Sequence, residues 1–158
     1  MHQVNSDTIE ASARAVIDKY LSLPVGTKPS CPYFNNRRRG VKGNLRALRG
    51  KGTPEEIAEE CEIRALQNRV TVASLSTDKL KEFLVAQDLG VDCSGLAYHV
   101  LSAALAERRG KSLAAAIHTN RSGFIGKIIA RRRPAENIGV ATFANERNSV
   151  AIGAAEAR

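Results

Sequence analysis

The sequence predicts an α+β fold: a helix-rich N-terminal part followed by short antiparallel strands. Three observations carry that expectation. Before position 110, apolar residues recur at helical spacing behind capping residues. After Pro134 the pattern changes to two short β-branched runs, 138–143 and 149–152, divided by Asn145-Glu146-Arg147-Asn148, which reads as two strands and a turn. Hydrophobic residues make up 43% of the 158 positions, yet only 4% are aromatic and none is Trp, so the core must be built mainly from Ala, Leu, Ile and Val, a composition suited to helices.

The length fits one domain, 1–158, large enough for a real core. Asn5, Ser6 and Asp7 offer N-caps, and Ile9, Ala13, Val16, Ile17 and Tyr20 share a face, predicting a first helix that runs to about Leu21 and is stopped by Pro24. Residues 25–52 read as a basic, loop-rich segment, with short helical or extended pieces around 31–34 and 45–48. Thr53-Pro54-Glu55-Glu56 combines an N-cap, a first-turn proline and a capping-box glutamate, so a second helix is expected over 54–68. Ser76-Thr77-Asp78 opens a third that buries Leu80, Phe83 and Leu84. Together these two helices, 53–90, precede the string Asp92-Cys93-Ser94-Gly95 as a helical insertion.

A fourth helix starts at Cys93. There Cys93, Leu96, Ala97, Val100, Leu101 and Ala104 form an apolar stripe, which predicts a sulfur half turned to the core, and Gly110 closes the element. Ser112 caps a short helix, 124–130 forms another, and 135–158 begins a small sheet.

The net charge of +8 is uneven. Seven basic residues and no acid lie between 31 and 52, among them Arg37, Arg38 and Arg39; eight more lie over 108–135, ending in Arg131, Arg132 and Arg133. Such runs suit a polyanion, while Glu55, Glu56, Glu59, Glu60 and Glu62 can neutralise part of one run internally. The three cysteines, Cys31, Cys61 and Cys93, form no C-x-x-C pair, which points away from a disulfide framework or a zinc site; no metal and no cofactor is expected. Cys61 shares the inward face of the second helix with Ile57 and Ala65 and reads as core. No apolar run is long enough to span a bilayer and no export signal is read, so the chain as given is expected in the cytoplasm, or at the envelope or outside the cell if it is released or belongs to a larger exported protein.

A cysteine that opens a helix is well placed as a nucleophile, since unpaired N–H groups and the helix dipole favour the thiolate. Asp92-Cys93-Ser94-Gly95-Leu96, continued by Ala97-Tyr98-His99-Val100-Leu101, resembles the D-C-S-G-[LF]-V signature of the NlpC-type cell-wall peptidases. Pro32-Tyr33 is similar to the Pro-Tyr upstream of that signature. The resemblance implies a papain-like core, a cysteine hydrolase acting on peptidoglycan stem peptides, Cys93 as nucleophile, Asp92 and Ser94 as neighbours that orient substrate or cap the helix, and Tyr33 as a wall of the site. It also implies a histidine on a downstream strand. The sequence holds only His2, His99 and His118, none in the expected strands. His99 lies six residues after Cys93, on another helix face, and reads as solvated or capping; His118 is the weak candidate for the base. With no Gly-Asp-[LM] segment and strand histidine before Arg158, the core is expected to be C-terminally incomplete, or else the chain is a relic that has lost the chemistry.

Three functions therefore compete. One is a peptidase or amidase on peptidoglycan peptides, its basic runs drawn to anionic wall polymer. The second is a nucleic-acid-binding module that uses those arginines on phosphates. The third is a non-catalytic scaffold that keeps the fold and only binds.

Overall fold

A computed structural model describes residues 9–34, 45–118, 135 and 138–149. Four helices carry the architecture. Helix α1 (Ala11–Leu21) buries Ala13 and Tyr20. Helix α2 (Pro54–Gln67) begins at the expected capping box: Thr53 Oγ1 accepts from Glu56 N at 3.2 Å, and a Glu56 carboxylate oxygen accepts from Thr53 N at 2.9 Å. Helix α3 (Thr77–Ala86) is capped by Ser76 and buries Leu80 and Leu84. Helix α4 (Cys93–Arg109) ends at Gly110, which takes the left-handed conformation that a side chain disfavours. Short 3-10 turns cover Arg46–Arg49 and Val72–Ser74, and two four-residue helices, α5 (Leu113–Ala116) and α6 (Val140–Phe143), follow.

The core forms where these helices converge. Tyr20, Leu23 and Val25 from the N-terminal part meet Ile57 and Cys61 of α2, Leu80 and Leu84 of α3, and Leu89 and Val91 ahead of α4. Residues 53–90 thus supply the centre of the core. Cys61 is fully buried beside Ile57 and Ala65, as its helical spacing requires. Helices α1 and α4 pack on each other, joined by Ser12 Oγ donating to Ala103 O at 2.9 Å, Ser12 N donating to Glu107 at 2.8 Å, and an Arg108–Glu10 ion pair.

The acidic face of α2 does meet cations: Arg46 of the basic segment pairs with Glu56, Lys19 lies 2.6 Å from Glu55, and Arg64 lies 2.8 Å from Glu60. No helix among the described residues is long and apolar enough to cross a membrane.

The expected α+β architecture is corrected here. Among the described residues there is no strand, and the one recorded β-type pairing is an isolated parallel bridge between Tyr33 and Val91. The run 138–143, read as a strand, contains α6 instead. Gly139 O accepts from Thr142 N at 2.9 Å, and Asn145 O accepts from Asn148 N at 2.8 Å, so backbone groups are satisfied locally. β-Branched residues favour a strand only when a neighbouring strand offers a ladder to pack on, and none is placed beside these residues in the described part. The expected second strand, 149–152, and the helix at 124–130 lie outside the described residues except for Ser149.

Candidate functional site

The first turn of α4 carries its sulfur farther outward than the half-buried position expected of it. Cys93 is exposed, whereas Asp92 (4%), Ser94 (7%) and Gly95 on either side are buried. The apolar stripe does not carry the sulfur inward, and Leu101 farther along it is also exposed. Polar attachments to a short strap, 50–52, take precedence.

That strap grips the helix start at several points. Lys51, itself only 8% exposed, places Nζ 2.8 Å from Asp92 Oδ1 and also donates to Ser94 Oγ. Ser94 donates in turn to Asp92 Oδ1 at 3.1 Å, and the same oxygen caps the helix by accepting from Gly95 N at 2.7 Å. Asp92 N donates to Gly50 O at 2.9 Å. The contact is close enough to require glycine: a Cβ on Gly95 would lie 2.3 Å from Gly50 O. Asp92 and Ser94 are therefore the cap and the anchor of the helix.

His99 completes the grip from the next turn. Its Nε2 lies 3.0 Å from Lys51 O; a carbonyl can only accept, so Nε2 carries the proton. The ring packs near Tyr20, centroids 6.2 Å apart, and Tyr20 Oη donates to Gly52 O at 2.7 Å. Burial, the largest cause, holds the His99 imidazole below its ordinary range, and it likewise pushes the Tyr20 phenol up. The expectation of a solvated or capping His99 is thus replaced by a half-buried imidazole bonded to the strap.

Tyr33 arrives from a distant part of the chain. Phe34 N donates to Val91 O and Val91 N donates to Pro32 O, both at 3.0 Å, fixing the Pro32-Tyr33 segment against the residues just before Cys93. Pro32 and Phe34 are buried, while the Tyr33 side chain between them is 69% exposed. Cys93, Asp92, Ser94 and Tyr33 therefore belong to one locality, with Cys93 and Tyr33 open to solvent.

No family model, curated protein or solved structure matches the chain.

His118, the sequence candidate for a base, is exposed after α5: its backbone N–H donates to Asn148 Oδ1 at 2.6 Å, and its ring Nε2 lies 3.0 Å from an Arg147 guanidinium nitrogen. Among the described residues no imidazole is hydrogen-bonded to Cys93. Arg37, Arg38, Arg39, Arg131, Arg132 and Arg133 lie outside the described residues, as does His2.

Of the other thiols, burial pushes Cys31 up to about 12 and Cys61 up to about 11, which leaves them as thiols at neutral pH. A surface depression of about 240 Å³ lies between Arg46 and the Glu56, Glu59 and Glu60 side chains, and a more open one of about 480 Å³ runs along α3; Cys93 lines neither. Among the described residues no group of three or more His, Cys, Asp or Glu is placed to hold a metal ion.

Lys51, Gly95 and His99 are the residues whose roles sequence reasoning missed. A faint signal exists for the first: a lysine between two glycines at 50–52, directly before a capped helix, can bring its backbone close to another element.

Proposed function

We propose that the chain is a cysteine peptidase- or amidase-type domain that acts on peptidoglycan stem peptides, with Cys93 as its nucleophile. The single observation that carries this reading is the selective exposure of Cys93, in a helix first turn whose other members are anchored inward. The exposed Tyr33, on the segment bridged to Val91 two residues before Cys93, is the aromatic side chain that would serve as a wall of the site. The net charge of +8 suits murein carboxylates, and such a substrate sets the place of action at the cell envelope.

In this reaction the thiolate attacks the amide carbonyl and the C–N bond breaks. A thioester on Cys93 remains, and the amine leaves with the proton that the thiol gave up. Water then splits the thioester and restores the thiol. Gly95 N and Leu96 N already donate to Asp92, so the N–H groups of Cys93 and Ser94 are the ones at the start of α4 that would donate to the tetrahedral oxyanion. Among the described residues no imidazole is hydrogen-bonded to Cys93: His99 Nε2 faces the Lys51 carbonyl and His118 Nε2 faces an Arg147 guanidinium nitrogen.

General-base assistance contributes about 10²- to 10⁴-fold, so acylation by an activated substrate is a more sensitive test than turnover. The full chain is incubated with an ester of a murein stem peptide and analysed by mass spectrometry. A stem-peptide adduct on Cys93 that disappears in Cys93→Ala is expected; an adduct pattern unchanged by Cys93→Ala, or no adduct at all, contradicts the proposal.

A further inference from the structure

Helix α2 keeps two aliphatic side chains on its outer face. Its inward face, with Ile57, Ala58, Cys61 and Ala65, already supplies the core, yet Ile63 and Leu66, one turn apart, stay in solvent, Leu66 at 79% exposure. Single exposed aliphatics are ordinary on a protein surface, but these two have a third beside them. The 3-10 turn Arg46–Arg49 lies against α2, and between the two runs the depression of about 240 Å³, with the exposed Leu45 and Ile63 both in its lining. Three glutamates and one arginine line it as well. Glu56 is answered by Arg46, and the buried Glu60 by Arg64. Glu59, exposed in the same lining, and Glu62, exposed beside Ile63, enter none of the ion pairs of the described residues. The aliphatic patch is therefore edged by uncompensated negative charge, in a chain whose net charge is +8.

The geometry points to a docking groove for a basic segment of a partner protein, one that carries an aliphatic side chain next to arginine or lysine. The depression is smaller than the roughly 300 to 1,000 Å³ of small-molecule pockets, so it suits side chains of a larger partner. The aliphatic residue covers Leu45 and Ile63 and takes their apolar surface out of water. The adjacent cation meets Glu59 and Glu62, which an anionic partner would find repulsive. The groove shares no residue with the surface that holds Cys93 and Tyr33, so the inference is independent of the chemistry proposed there.

The probe is a short fluorescent peptide with leucines one helical turn apart and flanking arginines, titrated into the full chain and followed by anisotropy. Saturable binding is expected, although the net charge of the chain repels a cation elsewhere. Glu59→Lys combined with Glu62→Lys should weaken it by about five- to twentyfold, and Ile63→Ser by about three- to tenfold. Glu82→Lys, an exposed position on α3 outside the lining, should leave it unchanged.

Where a variant does not fold, the peptide decides: serine in place of its leucines, or glutamate in place of its arginines, should abolish binding to the parent. Absence of binding overturns the inference. So does binding that the serine peptide retains, or a loss in Glu82→Lys equal to that at the groove, since both mark general charge attraction. A parent that dimerises in sedimentation, and whose dimer Glu59→Lys dissociates, would put a second copy in the groove and overturn it too.

Discussion

The middle of α2 and the first turn of α4 treat the same residue type in opposite ways. In α2 the apolar face turns inward and the thiol goes with it, so Cys61 is fully buried next to Ile57 and Ala65. In α4 the polar residues turn inward, toward Lys51 and the 50–52 strap, and the thiol is left outside. Periodicity decides orientation where a helix meets aliphatic packing; buried polar pairing decides it where a helix end meets another backbone. A carboxylate and an ammonium that meet at 2.8 Å outweigh the burial of one small side chain, because leaving either charge buried and unpaired would cost several times as much.

The comparison is broken most severely by removing the ammonium. Lys51→Met takes the ammonium away from the buried Asp92 carboxylate, which keeps Ser94 and Gly95 as donors, and a loss of about 3 to 5 kcal/mol is expected by denaturant titration. A loss below about 1 kcal/mol would mean that the strap does not orient the turn. Gly95→Ala attacks the same contact through its backbone. Its Cβ has no room against Gly50 O, so about 1 to 3 kcal/mol should be lost, although alanine is the better helix former.

Serine at each cysteine sharpens the contrast. Cys61→Ser puts an unpaired hydroxyl into aliphatic packing and should cost about 1 to 3 kcal/mol, while Cys93→Ser should stay within about 0.5 kcal/mol. Equal costs at the two sites would erase the distinction.

The smallest expected effect is on pH dependence. Burial holds the folded His99 below its ordinary value of 6.5, so the unfolded chain binds the proton more readily. The stability contribution is whole above about 6.5 and is lost progressively as pH falls from there through the folded value. His99→Gln, which retains a donor for the Lys51 carbonyl, should flatten that limb of the stability–pH curve. An unchanged limb would place the imidazole in solvent.

What was legible in the sequence was local. Thr53 and Glu56 specify the start of α2 within four residues, Ser76 does so for α3, and Gly110 marks the end of α4, because each motif satisfies backbone groups of its own turn. The place of Cys93 at a helix start was legible for the same reason, as was the inward face that carries Cys61. The direction of the Cys93 side chain was not, since it follows from Lys51, which lies 41 residues before Asp92. His99 was misread on the same ground: its partner is a strap carbonyl 48 residues away. The β-branched run at 138–143 misled because a strand needs a partner in space, whereas α6 closes within its own residues.

The most direct test of the account is site-resolved alkylation. The folded full chain is treated with limiting iodoacetamide at neutral pH, and Cys31, Cys61 and Cys93 are followed by peptide mass spectrometry. Cys93 is expected to be modified first, with Cys31 and Cys61 protected until the chain is denatured; equal labelling of the three, or protection of Cys93 alongside Cys61, would contradict an outward-facing thiol in the first turn of α4.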